Sequence, residues 1–202
     1  MPMESTLVQG ATLLVQIAMG LSLAACAGLR AFLPLFIVGV AGRLDLLPLL
    51  RSFEWLESWP ALIVFGVAVV AELLGDKFPV VDNFLDAVQL FVKPVAGVIL
   101  ATCVLTELTP LQAAVLGLIA GSSAAGAVHV TKAKLRVAST ATTAGVGNPF
   151  LSIIEDVGAL VGTLSALVVP LVMIVLLVLA VVLAWMAIRR WRRSAPVNQS
   201  LA

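Results

Sequence analysis

Charge is what this chain has least of. Only 11% of its 202 residues are Asp, Glu, Lys or Arg, less than half the share of an ordinary soluble domain. With 61% hydrophobic residues and a mean hydropathy of +1.15, the composition argues against a soluble domain and for a membrane protein. The chain has one histidine and two cysteines, too few for a zinc or haem centre, so neither metal nor cofactor is expected. Cys26 and Cys103 both sit in apolar runs and read as small core residues rather than a disulfide. There is no phosphate loop, dinucleotide fingerprint, zinc-protease motif or nucleophile elbow. No basic residue precedes the first apolar run in MPMESTLVQG, so no cleavable signal peptide is expected.

What is present is a series of continuous apolar runs rich in Leu, Ala and Gly. A transmembrane barrel needs short alternating segments, so the expected fold is all-α: a polytopic transmembrane helical bundle of about six spans. Residues 1–190 form one domain, and 191–202 read as a disordered cytoplasmic tail. The first span covers 11–28. The apolar stretch then runs on to Gly42, too long for one straight crossing, and Pro34 offers a break. Residues 31–41 are therefore a short or re-entrant helix, or a span returning at an angle. Residues 43–59, with Trp55 and Trp59, suit the interface. Further spans are expected at 61–74, 94–106 and 111–128, and Glu107 to Pro110 reads as a tight turn. His129 to Arg136 lead into a polar connection ending at Asn148-Pro149, where Asn is the expected cap and Pro the first helical residue. Two helices divided at Pro170 fill 150–188, and the second has no charge for eighteen residues.

Arg189, Arg190, Arg192 and Arg193 abut an apolar helix and read as a cytoplasmic flank rather than a nucleic-acid site. Six spans then put Lys132, Lys134 and Arg136 on the same side; a seventh crossing at 31–50 flips the N-terminus alone. Gly75, Pro79 and Asp86 recur seventy residues on as Gly145, Pro149 and Asp156. A 3+3 inverted repeat explains this, and so does the ordinary grammar of helix starts.

The polar segment from Glu72 to Lys93 lies between apolar runs. Glu72 and Asp76 are one turn apart and suit a cation or proton; the bland reading ends a span there, with Asp76 and Lys77 in water. Asp82 and Asp86 line one wall of a pocket or the wet face of an interfacial helix. Lys93, before Pro94, reads as a snorkelling lysine. Arg30, inside an apolar stretch, needs a carboxylate or an anionic ligand unless it snorkels at a span end. Glu155 and Asp156 point about 100° apart on a helix, so one of them, Asp156 by the repeat, is expected to face a shared centre. His129, Lys132, Lys134 and Arg136 are candidates for a lipid headgroup or another anion.

GLRAFLPLF, AELLGDKFPVVDNFLDAV, VKPVAG, HVTKAKLR and GNPFLSIIEDVGAL, in that order, resemble the DUF4126 domain family of bacterial membrane proteins. The resemblance covers about residues 12–185. It implies an integral protein of the bacterial inner membrane, with no established active site to carry over. Three functions stay open. One is a small transporter or permeation protein for an ion or metabolite, centred on Arg30, Glu72, Asp86 and Asp156. Another is a lipid-phosphate binder or enzyme at the cytoplasmic face. The third is a membrane scaffold whose acids pair internally. Membrane lipids are the expected partners, and no nucleic acid is expected.

Overall fold

In a computed structural model, the backbone is described for residues 2–75, 79–144 and 146–170 and for scattered positions between 175 and 189; the side chains of 1–8 and 79–87 lie outside the description. Among the described residues every regular element is a helix. The elements are α1 (Pro2–Leu29), α2 (Phe32–Arg43), a short 3-10 turn (Arg51–Glu57), α3 (Trp59–Gly75), α4 (Pro79–Cys103), α5 (Pro110–Leu116), α6 (Ser122–Thr143) and α7 (Asn148–Val168). A single π turn, Gly117–Gly121, joins α5 to α6.

The expected six spans are not found. Three helices among the described residues are long and apolar enough to cross a membrane: Gln9–Leu29, Pro110–Thr143 and Asn148–Val168. A fourth is added if the 3-10 turn is counted with α3, from which it bends by 62°. The difference lies at 94–106 and 171–188. The apolar part of α4, Val88–Cys103, is below spanning length. α2, expected as a short or re-entrant helix and not counted among the six, has 12 residues, about 18 Å of helix, against the roughly 30 Å of bilayer hydrocarbon. The run at 171–188 lies largely outside the described residues. Without three spans in each half, the 3+3 inverted repeat falls as well. Pro79 and Pro149 recur because both stand in the first turn of a helix, where the missing N–H costs nothing.

Four local expectations also change. The break after α1 falls at Arg30-Ala31 and not at Pro34, because a proline ring collides with the carbonyl four residues earlier, here that of Arg30. Pro94 does not open a new span; it lies inside α4. His129 to Arg136 are not a connection, since Pro110–Thr143 is helical throughout its 34 residues. Asn148 does not cap α7 with its side chain. Gly147 takes that position, and Asn148 Nδ2 donates to Thr140 Oγ1 at 3.0 Å. Thr109, by contrast, makes a capping box with Gln112 at the expected turn.

α1 is the central helix, packed against α4, α6 and α7. Its Leu23 and Ala27 join Leu35 and Val38 of α2, Leu100 and Cys103 of α4 and Ala166 of α7 in one core. Both cysteines are buried and free. Small residues bring the helices close, as they do in lipid. At the crossing of α4 with the π turn, a Cβ on Gly97 would lie 2.6 Å from the Gly121 carbonyl oxygen, and one on Gly121 would lie 2.5 Å from that of Gly97. Outward-facing apolar side chains such as Ile63, Val67, Phe91, Leu118 and Ile154 are exposed. That surface suits contact with lipid tails.

Candidate functional site

The break between α1 and α2 is the place where charge enters the interior. The N–H groups of Ala31 and Phe32 begin a new helix and need acceptors from elsewhere. Glu72, near the C-terminal end of α3, supplies them. Ala31 N–H donates to its Oε1 at 3.0 Å and Phe32 N–H to its Oε2 at 3.3 Å. A third donor, Gln89 Nε2 of α4, reaches Oε1 at 2.9 Å. A carboxylate at a helix N-terminus also meets the positive end of the helix dipole. Glu72 is 2% exposed, so these donors replace the water it has given up.

Arg30 stands in the break itself and is 1% exposed. Its Nη1 donates to the Glu72 carbonyl at 3.1 Å, its Nη2 donates to Ser152 Oγ at 3.0 Å, and Nη2 lies 2.5 Å from Asp156 Oδ1. One guanidinium thus ties α3 and α7 to the break through its fork of donors.

A second group adjoins the first. His129, Lys132 and Arg136 follow one another at spacings of three and four along α6 and share a face. Lys132 Nζ lies 2.9 Å from Glu155 Oε2 and donates to the Leu29 carbonyl at 3.4 Å, so it also serves the break. Arg136 Nη2 reaches the same Glu155 oxygen at 3.4 Å. Lys93 of α4 is fully buried, and its Nζ lies 3.2 Å from His129 Nδ1.

The depth of this cluster follows from the helices. At one end of the bundle, Gln16 Nε2 donates to Thr106 Oγ1 at 2.8 Å and Gln16 Oε1 accepts from the Glu107 N–H at 3.2 Å. Arg30 is about 20 Å farther along α1. At the other end, Glu155 lies about 10 Å along α7 from Asn148. Arg30, Glu72, Lys93, Lys132 and Glu155 are buried between the helices.

Of the residues singled out in the sequence, Arg30, Glu72, Glu155, Asp156, His129, Lys132 and Arg136 come together. Lys134 is exposed on another face of α6. Asp76 and Lys77 lie outside the described residues, and Asp82 and Asp86 are placed in α4 by backbone only. The choice of Asp156 over Glu155 was too narrow. The cluster extends sideways, so Asp156 reaches Arg30 while Glu155 reaches α6. Gln89, Lys93 and Ser152 were missed as members. Gln89 and Lys93 are four apart on α4, a spacing that would have placed them on one face.

An apolar groove of about 290 Å³ opens between α2, α3 and α4, lined by Phe32, Leu35, Trp55, Phe65, Phe91 and Val95 among others. None of the clustered charges lines it. Among the described residues, no group of three or more His, Cys, Asp or Glu side chains is arranged to hold a metal ion.

No curated protein and no solved structure matches the chain. The family model described as a domain of unknown function, DUF4126, matches residues 17–190, and the chain belongs to that family.

Proposed function

We propose that this protein is a small permeation protein or transporter of the bacterial inner membrane, with the Arg30–Glu72–Asp156 cluster as its polar site. The observation that carries the reading is the convergence of buried charges from α3, α4, α6 and α7 on Arg30 at the break between α1 and α2. Ionisable groups inside a membrane bundle are expensive and mark ion or proton pathways more often than not. Broken helices that leave backbone groups to be satisfied by side chains are a recurrent way of building such sites. Asp76, Lys77, Asp82 and Asp86, in the segment after Glu72, complete the polar route in this proposal. The cluster is closed into pairs, so passage of a substrate requires those pairs to exchange partners. The four arginines at 189–193 support a cytoplasmic C-terminus in this proposal.

The test uses purified full-length chain in liposomes, assayed for proton flux with an internal pH dye and for uptake of labelled small ions and metabolites. Asp156→Asn and Arg30→Gln are expected to lower flux by about tenfold or more while the protein stays monodisperse. Flux no greater than in empty liposomes overturns the reading, as does flux unchanged in both variants.

The internal pairing of Arg30 with Asp156 and of Lys132 with Glu155 favours a second reading, a membrane scaffold held by buried ion pairs. It predicts that exchanging Arg30 and Asp156 restores a folded protein. The lipid-phosphate reading has less support, since Lys132 and Arg136 both turn to Glu155.

A further inference from the structure

The contact between Lys93 and His129 joins two bases, and that limits its protonation. An N···N hydrogen bond takes one hydrogen and one lone pair. A lysine ammonium has no lone pair, and neither does an imidazolium. At 3.2 Å between Nζ and Nδ1, the pair therefore holds an ammonium against a neutral ring, or a neutral amine against a ring N–H. It does not hold both nitrogens protonated. A further proton must break the contact and turn the ring or the lysine away.

The surroundings make this more than a local matter. Lys93 is 0% exposed and His129 is 9% exposed. From α3, Glu72 interacts electrostatically with Lys93. At the α1–α2 break, Arg30 binds the Glu72 carbonyl and faces Asp156 of α7. On α4, Gln89 holds the Glu72 carboxylate one turn before Lys93. On α6, Lys132 follows His129 by one turn and is matched by Glu155 of α7, which Arg136 also contacts. A proton gained by the pair is therefore felt at once by Glu72 and by the break it caps. The Gly97–Gly121 crossing lies about one turn from Lys93 and two from His129. Loss of the nitrogen contact loosens α4 against α6 next to the close approach of α4 to the π turn.

From this geometry we infer that the Lys93–His129 pair is a proton-exchange site, which makes the proton the ion that couples to rearrangement of the broken helix. The inference rests on the transport reading above and names its ion. Histidine suits the task because its charge changes near neutral pH when unperturbed.

The chain's single histidine allows a direct test. Full-length protein labelled with 15N in its imidazole is placed in liposomes and followed by solid-state NMR from about pH 9 to about pH 5. The expected result is one unprotonated ring nitrogen at the high end and two protonated ones at the low end. The change should occur at a different pH in Lys93→Met. A spectrum that never changes over this range overturns the inference, as does one that titrates identically in Lys93→Met. In the dye assay, His129→Gln should lower proton flux by about tenfold or more. If flux is robust and unaffected by His129→Gln, the inference fails and the transport reading stands. If the ring titrates with the expected dependence on Lys93 but wild-type protein passes neither protons nor labelled ions or metabolites, the exchange site stands and the transport reading fails.

Discussion

Arg30 and Asp156 form a close ion pair, and they differ in exposure: the arginine side chain is 1% exposed, the aspartate 31%. Truncating one partner of a buried pair strands the other charge. Arg30→Gln is expected to lower stability by about 3 kcal/mol, measured by reversible unfolding in mixed micelles. Asp156→Asn should cost a similar amount, about 3 kcal/mol, because it is the buried guanidinium that loses its partner. The double variant should fall short of the sum of the two losses, and strict additivity would show that the two side chains do not interact. Glu72 offers a second comparison. Glu72→Gln keeps one oxygen for the break and should cost about 1 kcal/mol, whereas Glu72→Ala orphans two backbone N–H groups and should cost about 3 kcal/mol. Arg30 and Glu72 were legible as candidates because a charge inside an apolar run has few bland explanations. Lys93 was not, because a lysine just before a proline looks like the end of a span.

At the scale of elements, proline shows where local reading holds and where it fails. Pro79 and Pro149 stand in the first turns of α4 and α7. Pro34 acts on Arg30, four residues upstream, and so decides where α1 stops. Pro94 is carried within α4, whose flanks are packed against α1 and α6; packing there outweighs the lost hydrogen bond. The crossing of α4 with the π turn admits no Cβ at Gly121. Gly121→Ala is therefore expected to destabilise by about 1–3 kcal/mol, from the same unfolding measurement. Ala144 ends α6 in the left-handed region, at φ 51°. Ala144→Gly should stabilise the protein by up to about 1 kcal/mol, and a loss of stability would contradict that account of the cap.

For the whole molecule, the decisive property is the solvent it is built for. Val67, in the middle of α3, is 65% exposed. On a water-facing helix Val67→Arg would change stability little. On a lipid-facing one it should cost about 2–3 kcal/mol and reduce the membrane-inserted fraction in cells. Fractionation after expression checks this, with Lys134→Ala as a control expected to stay within about 0.5 kcal/mol of wild type. The number of crossings did not follow from the apolar runs. Hydropathy counts apolar residues, but the apolar part of α4 stops short because Gln89 and Lys93, on its polar face, are held by other helices.

From the sequence alone came the helical class, the membrane setting, the family and the rarity of charge that made Arg30 and Glu72 conspicuous. Those are properties of composition and of short runs, which local chemistry determines. Only the tertiary structure decided the partners. Arg30 meets Asp156 across 126 positions of chain, and Lys93 meets His129 across 36. Such pairs depend on the angles at which helices cross, and those angles are set by the glycines and by the break that Glu72 closes.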